Sequence, residues 1–267
     1  MRNAGALIVA VVVLAAVVGP WLVPFDPAAQ ELALRLEGPS RLHWLGLDEL
    51  GRDILARVMS GARVSLLVGL VVVSLSASIG AALGSTAGYY GGVVDEAIGR
   101  IMDVLLAFPG LLLAIAVVAV LGPSLANVVL ALSLIGWVGY ARVVRAQVLQ
   151  AREFDYVAAA RAIGAGAPRI MIRHILPAAL PALTVQATLG MGGAILSEAA
   201  LSFLGLGVQP PTPSWGAMIN YGRAHVLDAP HLTIFPGLAI AAIVLGLNLL
   251  GDGLRDRFGR GEVSNSE

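Results

Sequence analysis

An all-α membrane protein with six transmembrane helices is the fold class this sequence predicts, and three observations carry the prediction. Of 267 residues, 58% are hydrophobic and 13% charged, and the mean hydropathy is +0.85; a soluble domain carries roughly 25% charged residues. Six apolar windows of bilayer-crossing length recur along the chain. Between the fourth and fifth lies a charged, small-residue island, EFDYVAAARAIGAGAPRIMIRHILP, from Glu153 to Pro177.

The first window, residues 6–23, reads as an uncleaved span. A secretory signal is the rival reading, but Pro20, Trp21 and Pro24 stand where a small-residue cleavage site is wanted. Residues 25–63 then turn polar and read as a solvated outer loop ending in a short amphipathic lead-in helix. In that loop Trp44 suits a membrane-interface anchor, and Asp53 and Arg57 have the spacing of a surface helical pair.

The second span, Val64 to Ala87, interleaves Ser74, Ser76, Ser78, Gly80 and Gly84, small residues that let helices approach closely in lipid. Gly88, Gly91 and Gly92 make a turn into the third span, Val104 to Leu121, which Pro109 is expected to kink. The fourth span is Ser124 to Tyr140 and the fifth Ile175 to Leu196. Residues 202–219, broken by Pro210, Pro211 and Pro213, read as a re-entrant or surface excursion, and Leu232 to Leu250 make the sixth span. The organisation is therefore 1–63 for the first helix and outer loop, 64–252 for a five-helix core, and 253–267 for a polar tail.

Within the island, Phe154 to Ile163 form a short helix, Gly164 takes the left-handed turn that ends it, and Pro168 opens a second short helix. With the island and both termini on the cytoplasmic side, that side holds Arg2, Arg100, Arg142, Arg145, Arg152, Arg161, Arg169, Arg173, Arg255, Arg257 and Arg260, eleven of the 17 basic residues. The positive-inside bias supports that orientation.

All 17 basic residues are arginine. Without lysine the chain can hold neither a P-loop nor a Schiff-base site, so any ATP chemistry belongs to a partner. The absence of cysteine removes disulfides and thiolate chemistry. The six windows contain no Asp, Glu, His or Arg, which counts against an ion-coupled carrier; Asp103 and Glu198 read as boundary residues. No span carries a histidine base for proteolysis, and the four histidines lack zinc-hydrolase spacing. Zero net charge and scattered aromatics give no case for nucleic acid. What remains is a polytopic scaffold whose island is either a docking site or a structured loop with positive-inside arginines.

The island resembles the cytoplasmic pattern of permease subunits of binding-protein-dependent ABC importers: E-A-A, three residues, G, nine residues, I-x-L-P. Its register here is Ala158, Ala159, Ala160, Gly164, His174, Leu176 and Pro177, with Ala158 in place of the glutamate and His174 in place of the isoleucine. Four longer segments, HWLGLDELGRDILARVMSGARVSLLVG, GYYGGVVDEAIGRIMDVLLAFP, LSFLGLGVQPPTPSWGAMI and NLLGDGLRDR, are similar to the dipeptide, oligopeptide and nickel branch, in the subunit type with a large first outer loop.

The resemblance implies a type I ABC importer permease fold with a cytoplasmic coupling helix, in the bacterial cytoplasmic (inner) membrane. It implies a hetero-oligomer with a second permease, two cytoplasmic ABC ATPases that bind ATP and Mg2+, and an extracytoplasmic solute-binding protein. No cofactor is expected on this chain, and no enzymatic activity. ATPase coupling is expected at Tyr156, Ala159, Ala160, Arg161, Gly164 and Arg169. The translocation pathway is expected at Asn127, Gln186 and Ser197. Binding-protein contact or an outer gate is expected at Trp44, Asp48, Ser202, Phe203 and Trp215, with a merely shielding loop as the alternative. Di- or oligopeptides are the solute the branch implies, with nickel or another small solute second; a non-transporting membrane scaffold is the alternative of another class.

Overall fold

The structure, a computed structural model, describes residues 2–264. The first apolar window is helix α1, Arg2–Leu22. Pro20 has no N–H to offer the Ala16 carbonyl one turn back. Arg63, from the next helix, fills that gap: its Nε donates to Ala16 O at 2.6 Å and its Nη2 to Val17 O at 2.8 Å.

Helix α2 runs over Ile54–Tyr90, 37 residues, about 55 Å at the α-helical rise. The expected lead-in helix and the second span are thus one element. Asp53 caps it, accepting from Ala56 N at 2.8 Å, and this corrects the expected Asp53–Arg57 pair. An N-cap carboxylate faces the first-turn N–H groups, so Asp53 meets His43 Nδ1 at 2.9 Å, while Arg57 lies 3.3 Å from Asp48 and donates to Pro27 O at 3.0 Å.

The third span differs most from expectation. In place of one kinked helix there are α3, Gly92–Leu106, and α4, Gly110–Leu121, bent by 83°. A proline pushes the residue before it out of the helical region, and Phe108–Pro109 therefore breaks the chain into an elbow. Among the described residues five helices are long and apolar enough to cross a membrane, and α3 with α4 supplies a sixth only as a bent pair.

Helix α5, Leu125–Ala151, opens with the Ser124 hydroxyl accepting from Asn127 N at 3.1 Å. It packs along α2 so closely that a Cβ on Gly84 would lie 2.4 Å from Ala141 O, the role expected of small residues in a membrane helix. The island follows as α6, Asp155–Ala162, and α7, Ala167–Ile170, the latter passing through a π-helical turn at Met171–Ile175 into α8, Leu176–Phe203. The second short helix is therefore the beginning of the fifth span, and the widened turn admits the Pro177 ring without ending the helix.

A proline-rich segment leads to α9, Trp215–Gly222, and then to α10, His231–Ser264. The expected polar tail is helical as far as Ser264; its last three residues lie outside the described residues. The boundaries expected at 63/64 and 252/253 fall inside α2 and α10. Gly253 packs against Arg2 and Gly246 against Ile8, so α1 and α10 are antiparallel and the two ends of the described chain share one end of the bundle.

Candidate coupling site and translocation cavity

Helix α6 ends in a closed C-terminal motif. Gly164 sits at φ +82°, Gly164 N donates to Arg161 O at 2.9 Å and Ala165 N to Ala160 O at 3.0 Å, the paired bonds that satisfy terminal carbonyls around a left-handed glycine. One stripe of the helix, Val157 and Ala160, is buried with Ile170 and Ile175 against Val144, Val148 and Ala151 at the end of α5. Two arginines tie the region to the end of α2: Arg152 Nη1 donates to Gly88 O at 3.1 Å, and the Arg161 guanidinium lies 5.4 Å over the Tyr89 ring.

Among the expected coupling residues, Tyr156, Ala159, Arg161, Gly164 and Arg169 are exposed. Ala160 is only 5% exposed and belongs to the inward stripe, so it anchors α6 and presents nothing to a partner. Ile163, 85% exposed, and Phe154, 42% exposed, were not expected. Helical periodicity held the signal: Tyr156, Ala159 and Ile163 fall on one stripe at i, i+3 and i+7, about a quarter turn round from the buried stripe of Val157 and Ala160.

A cavity of about 260 Å³ opens among α2, α4, α5 and α8, lined by residues that include Val72, Ser76, Gly110, Leu111, Ile135, Tyr140, Gln186 and Ser197. Gln186 and Ser197, expected apart in sequence, share it. Gln186 also lines a second cavity of about 320 Å³, which continues to Gln147, Pro181, Arg255 and Phe258. Asn127 lies elsewhere: its Nδ2 donates to Leu121 O at 3.0 Å and Gly122 O at 2.8 Å, closing the turn between α4 and α5. Ser76 and Tyr140 also line the cavity, although in the sequence Ser76 reads as a helix-packing residue and Tyr140 carries no expected role.

At the opposite end, the loop before α2 is organised by buried charge. Arg52 Nε bonds Asp48 at 2.6 Å and its Nη2 bonds Glu49 at 2.8 Å, while Asp48 also accepts from the backbone of Leu50 and Arg52. Trp215 is 1% exposed and donates from Nε1 to Val58 O at 2.9 Å. Glu198, expected as a boundary residue, lies inside α8, fully buried, accepting from Ser202 at 2.6 Å and Ser65 at 3.3 Å.

Asp48, Ser202 and Trp215, expected at a binding-protein contact or an outer gate, are internal struts of this end of the bundle and present little surface to a partner; bulky or charged residue types in a loop do not reveal which way they point. Phe203 is half-buried, with the Arg223 guanidinium 5.7 Å over its ring. Only Trp44 of the five is open, at 70% exposure, lining a shallow apolar cavity with exposed Leu22 and Leu42. Among the described residues no group of three His, Cys, Asp or Glu side chains is placed to hold a metal ion.

A family model described as "binding-protein-dependent transport system inner membrane component" matches residues 80–262. The chain belongs to this family. A second model, "N-terminal TM domain of oligopeptide transport permease C", matches residues 3–39. The permease is 49% identical over 257 residues to the glutathione transport system permease protein GsiD of Escherichia coli O6:K15:H31, covering 96% of this chain and 85% of that one. It is 47% identical over 252 residues to the dipeptide transport system permease protein DppC of Alkalihalophilus pseudofirmus, covering 94% and 83%.

In fold, it is similar to a chain of the MetNI methionine ABC transporter in an inward-facing conformation, with a TM-score of 0.59 at 19% identity over 74% of this chain and 95% of that one. The chain is thus a multi-pass permease subunit of an ABC importer of the inner membrane. ATP hydrolysis falls to a separate subunit of the complex.

Proposed function

We propose that this permease forms half of the translocation pathway of an importer for di- or oligopeptides, with α6 as its contact to a cytoplasmic ATPase. The observation that carries the reading is the division of α6 into two faces: Val157 and Ala160 pack on α5, while Tyr156, Ala159 and Ile163 stand exposed. An exposed apolar stripe on a short helix needs a groove to cover it, and Ala159 is small enough for close seating. Arg161 and Arg169 flank that stripe, and with Ala158 in the consensus glutamate position the contact depends on shape and arginine.

The pathway reading rests on the cavity lined by Gln186 and Ser197. Its lining is apolar with uncharged polar groups, suited to weak contacts with a peptide, so that selection falls to an external solute-binding protein. Peptides as cargo are supported by the names of the relatives GsiD and DppC. The full assembly is this chain, a second permease, two ATPases and the binding protein, with both termini of this chain cytoplasmic. Trp44 is the residue offered to the binding protein or outer gate.

The test is uptake of labelled dipeptide and tripeptide by proteoliposomes holding the assembled importer. Ala159→Glu is expected to abolish uptake while the subunit still inserts and its stability is unchanged. Normal uptake with normal ATPase stimulation in that variant would sink the coupling role, and absence of peptide uptake by the unmodified importer would sink the choice of solute.

A further inference from the structure

The segment GYYGGVVDEAIGRIMDVLLAFP carries acids that neither the coupling contact nor the cavity uses. In the structure they hold α3 to α5. Arg145 grips Asp95 through two bonds, Nε to Oδ1 at 2.5 Å and Nη2 to Oδ2 at 2.6 Å. This bidentate geometry fixes orientation as well as distance. Nearer the elbow, Arg142 Nη2 bonds Asp103 at 3.0 Å, in an exposed pair that contributes little. Alongside them Ile98, Met102 and Leu105 form an apolar stripe packed on Trp137, Val138 and Ala141.

The last turns of α5 therefore carry two loads. Val144, Val148 and Ala151 hold α6, and Arg145, one residue from Val144, holds α3. At its far end α3 meets α4 through the 83° elbow, and the first residues beyond it, Gly110 and Leu111, line the cavity. An unbroken mechanical route thus joins the exposed face of α6 to one wall of the cavity.

We propose that Asp95 and Arg145 are positioning residues that make α3 a lever, so that displacement of α6 moves the Gly110–Leu111 wall. The proposal rests on the reading of the cavity as part of the pathway. A helix attached to α5 by one apolar stripe can slide along it, and the forked ion pair removes that freedom.

The chain has no cysteine, so Leu111→Cys gives a single reporter on this subunit. In the assembled importer, its labelling by a small thiol reagent is compared with and without ATP trapped on the ATPases. The expected result is labelling that differs between the two states in the Leu111→Cys background. Adding Asp95→Asn removes the difference and lowers uptake about tenfold, within the range of coupling energies between sites, and the exchanged pair Asp95→Arg with Arg145→Asp restores both.

Labelling that does not respond to nucleotide in the Leu111→Cys background overturns the pathway reading itself. Labelling that responds there and equally with Asp95→Asn overturns the lever alone. Should Asp95→Asn fail to assemble, the exchanged pair decides: recovered with the nucleotide difference it supports the lever, and recovered without it, or not recovered at all, it overturns it.

Discussion

The two ends of the same helices are built on opposite plans. At the end beside the loop before α2, charges and hydroxyls are buried and paired with one another: Asp48 with Arg52 and Arg57, Asp53 with His43, Glu198 with Ser65 and Ser202. At the α6 end, apolar and aromatic side chains stand exposed, and the helix is held by one buried stripe, one cation–π contact and one arginine bonded to a carbonyl. Buried polar networks specify one arrangement and penalise its disruption. An exposed apolar face leaves its energy for a partner to collect. The end before α2 is braced by its own contacts, and the α6 end keeps a face uncovered.

Substitutions at the two ends should therefore fail in different ways. Asp48→Ala leaves the buried Arg57 without a carboxylate and Arg52 with Glu49 alone, and loss of one member of a buried ion pair costs about 3–5 kcal/mol. Thermal denaturation of the purified complex should show a large loss of stability or no recoverable subunit. Trp215→Ala opens a void beside Gly61 and abandons the bond to Val58 O, at a cost of about 3–5 kcal/mol by the same measurement. Asp53→Ala loses the α2 cap and the His43 partner, and is expected to cost about 1 kcal/mol, seen as a modest downward shift of the transition.

Ile163→Asp, at a surface position, should leave stability within about 0.5 kcal/mol yet lower uptake and ATPase stimulation as strongly as Ala159→Glu. An Ile163→Asp chain that unfolds, or an Asp48→Ala chain that folds normally but fails to transport, would break the contrast. Trp44→Ala should be the mildest, with unchanged stability and, at most, weaker capture of the binding protein in a pull-down.

Much of the local structure around the candidate sites was legible because it is written locally. The left-handed turn at Gly164 follows from a residue without a Cβ after a run of helix formers, and the bonds around it are the ones such a turn requires. Gln186 and Ser197 share a cavity, as polar residues on apolar helices invite. Asn127 shows where that argument stops, since a side chain amide serves a helix end as readily as a pathway, and its Nδ2 closes the α4–α5 turn. The Asp53–Arg57 spacing was correct for a helical pair, but the cap took the carboxylate first and Asp48, nine residues before Arg57, took the arginine.

By itself the sequence determined that the chain lives in a membrane, where its apolar helices lie, that ATP chemistry belongs elsewhere, and where the short helix of the island begins and ends. Composition, periodicity and turn chemistry act over a few residues, so they can be read along the chain. The tertiary structure decided which arginine each acid meets, that Glu198 and Trp215 face inward, that the third span is an elbow, and which stripe of α6 is left uncovered. Those choices depend on the direction of each side chain and on residues up to 157 positions apart, as in the bond from Trp215 to Val58, and only packing brings such residues within reach of one another.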